Sequence, residues 1–217
     1  MPMYNPKSNS ILQQLTGLFR SFQPCQLCHA DTQHWHQVCE DCWKSLPWQR
    51  QTIQRQGLQI MTPCRYDYPL DRIIQQYKYQ QQLQFQPLLS GLLCSLKLPK
   101  KVQAIVPMPI STERLEERGF NQSLLIAQDL AKHLDVPIWQ PVTRLKQHAQ
   151  KGLSRLERMS DIQQQFQLTP PNAVRYRNVL IVDDVVTTGS SIQALHNCLI
   201  ELGCQQVHVT CLAVAEI

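Results

Sequence analysis

No run of apolar residues in this chain reaches the ~18 that a membrane-spanning helix requires, so no membrane insertion is expected. The first 24 residues hold Lys7 and Arg20 but no continuous apolar block, and make a poor secretion signal. Internal repeats and sustained heptads are missing too, which sets aside solenoids and coiled coils. Support for a disulfide framework is equally thin. The nine cysteines are an odd number, and Cys64, Cys94, Cys198, Cys204 and Cys211 fall singly within apolar segments, where a thiol packs as a small hydrophobe. Without a secretion signal this distribution points to a reducing compartment and a soluble, cytoplasmic protein. Charge is modest as well: a net +5 and a pI near 8.7 permit an anionic ligand or nucleic acid without demanding either. With 217 residues the chain can bury one core of ~150 residues and carry a small appendage.

The stretch around which the rest is organised begins with Val179, Leu180, Ile181 and Val182. These four apolar residues read as a strand buried on both faces. Asp183 and Asp184 follow, then Val185 and Val186, then the small polar turn Thr187, Thr188, Gly189, Ser190 and Ser191, and then a helical pattern over 192–202. In an open α/β sheet, ligands bind outside the C-terminal ends of the strands. Four hydroxyls, a glycine that admits close backbone approach, and the N–H groups opening a helix together suit a phosphate monoester. Two acids beside such a loop would repel that ligand unless they face ribose hydroxyls or the shell of a hard cation such as Mg²⁺. The loop therefore implies a sugar phosphate with a metal.

Nearer the start, Cys25, Cys28, Cys39 and Cys42 form two Cys-x2-Cys knuckles separated by ten residues. Two knuckles supply the four thiolates of a closed tetrahedral site, the arrangement of structural zinc, with a redox dithiol or a pair of disulfides as the alternatives. His29, His34 and His36 are read as solvated or supporting residues. Trp35, Val38, Trp43, Leu46 and Trp48 give this finger an apolar side that a module so small cannot bury by itself.

Elsewhere, Ile11, Leu12, Leu15, Leu18, Phe19 and Phe22 fit one packed helix, and the Gln-rich tract 47–62 reads as a connector. A helix carrying Ile73, Ile74 and Tyr77-Lys78-Tyr79 is expected next, then another over 85–98 and a strand over 102–106. Lys78 is either core-edge material or a phosphate-facing cation. Pro107, Met108 and Pro109 end the strand, and Arg114 and Arg118 lie on one side of the following helical turn, suiting a second anion site; a solvated charged turn is the alternative. Asn121 is a natural N-cap for a helix through Leu134. The segment 143–166, basic at first through Arg144, Lys146, Lys151, Arg155 and Arg158, reads as a loop able to close over a polyanion, or as an inert surface loop. Gly203 ends the helix after the central loop, and 206–215 alternates as a final strand.

The run from Val179 to Ser191 resembles the phosphoribosyl-diphosphate (PRPP) binding loop of type I phosphoribosyltransferases. Taken with the finger, the Tyr-Lys-Tyr helix, Val-Pro-Met-Pro, Arg-Gly-Phe-Asn-Gln and Gln-Lys-Gly-Leu-Ser, it makes nearly the whole chain from Cys25 onward similar to the ComF family of competence-associated, phosphoribosyltransferase-like proteins. That resemblance implies an α/β fold: a type I phosphoribosyltransferase-like central parallel sheet flanked by helices over 63–217, preceded by an N-terminal helix, zinc finger and connector over 1–62. It implies PRPP with Mg²⁺ as ligand, with Asp183 and Asp184 on the ribose hydroxyls, Val185 beside them, and Thr187, Thr188, Gly189, Ser190 and Ser191 on the 5-phosphate. Pro107, Met108, Pro109, Arg114, Arg118 and Lys78 would complete the site, and 144–158 would be the closing loop. Asp183 and Asp184 would also carry the chemistry of any transfer.

By the same resemblance the role is in natural competence, handling single-stranded DNA during uptake, with other DNA-uptake proteins as partners. An active transferase passing phosphoribose from PRPP to an unknown base is the other reading. Two departures stand out. Only Cys64 remains of the further cysteines the family often carries, which suggests one metal at most, and Asp161 stands where an Asn is usual near the end of the basic loop.

Overall fold

The computed structural model describes residues 23–145, 166–169 and 175–215. The chain divides into two compact units, Met1–Leu46 and Pro47–Ile217. The expected N-terminal helix and most of the basic loop, including Lys146, Lys151, Arg155, Arg158 and Asp161, lie outside the described residues.

The second unit is built on a five-stranded sheet in the order β1-β2-β7-β6-β3. These strands are β1 (Trp48–Arg55), β2 (Leu58–Arg65), β3 (Ala104–Pro107), β6 (Asn178–Val186) and β7 (Gln206–Val214). β2, β7, β6 and β3 run parallel, and only β1 is antiparallel to its neighbour. A separate two-stranded ribbon pairs β4 (Val142–Arg144) with β5 (Phe166–Leu168). The mostly parallel α/β architecture is the expected one.

The Gln-rich tract is not a connector. It forms β1 and the start of β2, joined by Gln56 and Gly57, both at positive φ (49° and 76°), which is the geometry that matches the twist of a tight hairpin. Glutamines are acceptable here because β1 is an edge strand whose middle faces water. Composition suggested a linker. The alternation of Ile53, Leu58 and Ile60, which fixes the inward face, is the signal that mattered. Pro63 sits inside β2 where the pairing with β1 slips between Trp48 and Gln51, so a missing N–H is tolerated there.

β6 is apolar throughout its first half because both faces are covered. Val179 and Ile181 join Ile192, Leu195 and Leu199 of α6 (Ser190–Glu201) in one core cluster. Leu180 and Val182, equally buried, point to the other face by alternation. There the sheet meets α5 (Gln122–Leu134) and α3 (Gln86–Cys94), with α2 (Leu70–Tyr79) contributing Leu70, Ile73, Ile74 and Tyr77 to the interior. Asn121 caps α5 as expected, accepting from the N–H groups of Ser123 (3.0 Å) and Leu124 (3.2 Å). α6 ends in a Schellman motif: Gly203 at φ 99° donates to Ile200, and Cys204 donates to Leu199. Among the described residues no helix is long and apolar enough to cross a membrane.

In the first unit, two Cys-bearing turns are held by short bridges between Pro24 and Thr32 and between Trp35 and Val38, followed by α1 (Glu40–Lys44). Val38 and Leu46 are buried while Trp35 is 43% exposed.

Candidate functional site

β6 continues past its apolar half, because Val185 and Val186 pair with Ala213 and Val214 of β7. Asp183 and Asp184 thus lie within the strand, near its C-terminal end, rather than in a loop, and the rigid sheet aims them. Asp184 is only 4% exposed. Its Oδ1 receives the Val185 N–H at 2.6 Å and the Lys78 ammonium at 2.9 Å, while its Oδ2 is buried without a partner. Asp183 is half-buried, and its Oδ1 accepts from the Asp184 N–H at 2.9 Å and from the Ser123 hydroxyl at 3.3 Å. Burial, reinforced by the neighbouring Asp184 charge, pushes the Asp183 carboxyl up to about 7, against the opposing pull of Lys78 and these hydrogen bonds.

After β6, Thr187 and Thr188 are exposed, and the Thr188 and Ser190 hydroxyls lie 2.9 Å apart. Gly189, at φ 81°, is the N-cap of α6, which starts shortly after the C-terminal end of β6. Glycine is required here twice over. The left-handed backbone disfavours any side chain, and a Cβ would lie 3.0 Å from that of Arg55. Ser191 accepts from Arg144 at 3.0 Å. Burial, then the charge of Arg114, lowers the Arg144 pKa while Asp183 supports it.

The Pro-x-Pro turn is latched to the same place. Pro107 is the last residue of the edge strand β3, paired with Val182, and the Met108 N–H donates to the Val182 carbonyl at 2.9 Å. Asn121 donates back to the Met108 carbonyl at 3.1 Å, so one side chain both caps α5 and fixes the turn carrying Pro109. α4 (Thr112–Arg118) separates the two arginines read as a pair: Arg114 is exposed, and Arg118 is 7% exposed and turned against Tyr79. The structure therefore brings together Lys78, Asp183, Asp184, the turn at 107–109 and the loop at 187–191. Arg55 and Arg144 join them. Arg55 had no visible signal, since its tract read as a connector.

In the finger, the sulfurs of Cys25, Cys28, Cys39 and Cys42 all lie within 4.8 Å of one another. Burial works against a Cys25 thiolate, but N–H donation from Cys28, Cys39 and Leu27 outweighs it and brings the thiol down to about 6. Burial and the hydrogen bond with Cys39 raise Cys42. Four thiols this close cannot all ionise without a cation between them, so the donor set fits a soft divalent metal. All nine cysteines are free thiols.

Residues 121–216 match the phosphoribosyl transferase domain family. Over 208 residues the chain is 33% identical to Competence protein F of Haemophilus influenzae, covering 89% of this chain and 86% of that one. It is 34% identical to DNA utilization protein YhgH of Escherichia coli K12 (87% and 82% covered) and 30% identical to Competence protein ComFC of Bacillus subtilis (89% and 76%). With the sheet, the acidic strand end, the hydroxyl loop and the four-cysteine finger all in place, the chain belongs to the ComF family and its α/β unit is a phosphoribosyltransferase-type domain.

Proposed function

We propose that this protein serves natural competence in the cytoplasm, handling single-stranded DNA as it is taken up, and that its α/β domain binds PRPP with Mg²⁺. One observation carries the ligand: two carboxylates at the end of β6 stand beside a hydroxyl-rich, glycine-capped helix N-terminus. Asp183 and Asp184 hold the ribose hydroxyls, and the orphaned Oδ2 of Asp184 gains a donor when they bind. Val185 borders the ribose. Thr187, Thr188, Gly189, Ser190 and Ser191 receive the 5-phosphate, with Arg55 and Arg144 as flanking cations. The turn at Pro107, Met108 and Pro109, with Arg114, faces the diphosphate; Lys78, already committed to Asp184, positions that carboxylate. Arg118 faces the diphosphate only if it leaves Tyr79. Mg²⁺, carried in on the diphosphate, neutralises its charge so that it can sit beside two acids.

The DNA role rests on the competence and DNA-utilization relatives and on the positive net charge. Cys25, Cys28, Cys39 and Cys42 hold structural Zn²⁺, which keeps the finger's shape and takes no part in chemistry. Other DNA-uptake proteins are the natural protein partners. A second reading, an active transferase to a base, is favoured by the retention of both carboxylates, which could stabilise a cationic sugar.

Calorimetry with PRPP and Mg²⁺, followed by a diphosphate-release assay over a panel of bases, tests both. Binding without release supports the DNA-handling role, and release with one base supports the transferase. Thr188→Val should weaken PRPP by ~1.5–3 kcal/mol through loss of a charge-assisted hydrogen bond. A parent that does not bind PRPP, or a variant that binds as well as the parent, removes the ligand assignment. On the DNA side, affinity for a single strand should fall with salt at a log-log slope of roughly −0.7 per phosphate neutralised, and salt-indifferent binding would count against a phosphate-tracking surface.

A further inference from the structure

Three consecutive residues at the end of α2 take three directions, because successive side chains on a helix are turned by ~100°. Tyr77 enters the core, edge-on to Phe120 with ring centres 5.5 Å apart. Lys78 reaches Asp184. Tyr79 is left 62% exposed. Its ring is nonetheless held. The Arg118 guanidinium lies over it, 4.8 Å from the centroid, and donates to the Tyr79 hydroxyl at 3.3 Å. Arg118 is itself buried and its Nε has no partner, so the protein places a cation in its interior and spends it on the back of a solvent-facing ring. A buried cation used in this way fixes the ring's plane and leaves its outer side as a preset flat surface.

We propose that Tyr79, braced by Arg118, is the platform on which this protein stacks a nucleobase beside its ribose-phosphate site. The position rests on the reading of the neighbouring loop as a PRPP site. Tyr79 is the residue after Lys78, whose ammonium lies 2.9 Å from the carboxylate assigned to the ribose, and its ring rests on Arg118, the last residue of the helix that follows the turn at 107–109. An exposed ring fixed by a guanidinium suits a planar heterocycle, which stacks irrespective of its hydrogen-bonding edge. It therefore gives a base a place in a chain whose family motif supplies no acceptor pocket. The base belongs either to a free acceptor or to a nucleotide of a single strand.

The experiment measures binding of a short oligothymidylate, of an abasic oligomer of equal length, and of free adenine with PRPP and Mg²⁺ to the full chain. The variants are Tyr79→Ala, Tyr79→Phe and, as a control, Tyr68→Ala, which removes an exposed tyrosine just before the start of the same helix. Tyr79→Ala should weaken a base-containing probe by about 5- to 150-fold, the range expected for loss of one stacked base. Tyr79→Phe keeps the ring and should stay within about threefold of the parent, and the abasic oligomer should not distinguish parent from Tyr79→Ala. Loss confined to oligothymidylate assigns the base to the strand; loss confined to adenine assigns it to an acceptor. Equal binding of both base-containing probes by parent and Tyr79→Ala, no binding of either by the parent, or an equal loss on Tyr68→Ala overturns the platform. A PRPP titration of the same proteins is read separately. Tyr79→Ala, which frees Arg118, should keep or raise the parent's PRPP affinity, and a parent that fails to bind PRPP overturns the ribose-phosphate reading while the oligothymidylate arm still decides on Tyr79.

Discussion

Asp183 carries a stability cost that its function would explain. Its carboxyl titrates near 7 in the folded chain against about 3.8 unfolded, because burial and then the charge of Asp184 disfavour ionisation. Between those values the folded state holds a proton that the unfolded state has released, so stability falls as pH rises from about 4 to 7, and the penalty is fully present above 7. Asp183→Asn removes it. The variant should melt above the parent at pH 8 and near the parent at pH 4, with a flatter pH profile by differential scanning fluorimetry, and should lose most of its PRPP affinity. A variant less stable than the parent at pH 8 would mean that the hydrogen bonds from Ser123 and Asp184 outweigh the buried charge. Asp183 and Asp184 were legible as a pair in the sequence, since two acids after an apolar run have few other uses. Arg118 was legible as a cation but not in its placement. Only packing decided that it lies under Tyr79 while Arg114, one turn earlier on α4, stays in water.

Elements meet at glycines whose surroundings differ. Gly189 and Gly203 both have positive φ, and both Gly→Ala changes should cost about 1 kcal/mol from backbone strain alone. At Gly203 an added Cβ meets nothing within 4 Å, so the cost should stop there. At Gly189 it meets the Arg55 Cβ at 3.0 Å, so β1 or the loop must shift. Gly189→Ala should therefore lower Tm more than Gly203→Ala and alone impair PRPP binding. Asn121→Ala tests a third junction. Loss of the α5 cap costs about 1 kcal/mol, and freeing the Met108 carbonyl should loosen the turn at 107–109, weakening PRPP beyond what Gly203→Ala does at similar stability. β1 and its turn were missed in the sequence because an edge strand facing water can be made of glutamine, and composition there imitates a linker.

At the scale of the molecule, the two units should lose structure separately. Among its described residues the first buries little apolar surface, with Val38 and Leu46 the main interior residues beside the cysteines, so its fold should depend on a metal held by them. Metal analysis should return about one zinc per chain. Chelation should release four reactive thiols and abolish ordered backbone signals over 23–46, while the sheet unit keeps its melting transition. Loss of that transition on chelation would show that the α/β fold needs the finger. The amino-acid sequence by itself determined the four clustered thiols, the acidic strand end and the hydroxyl-rich loop after it, because each is local: it needs only residue types at fixed spacing along one element. Tertiary structure alone decided what comes to that loop from elsewhere. Lys78, Ser123, Arg55 and Arg144 arrive from separate elements up to well over a hundred residues away in the chain, and Arg118 reaches the Tyr79 ring from another helix. Such contacts follow from strand order and helix packing, which no spacing along the chain records.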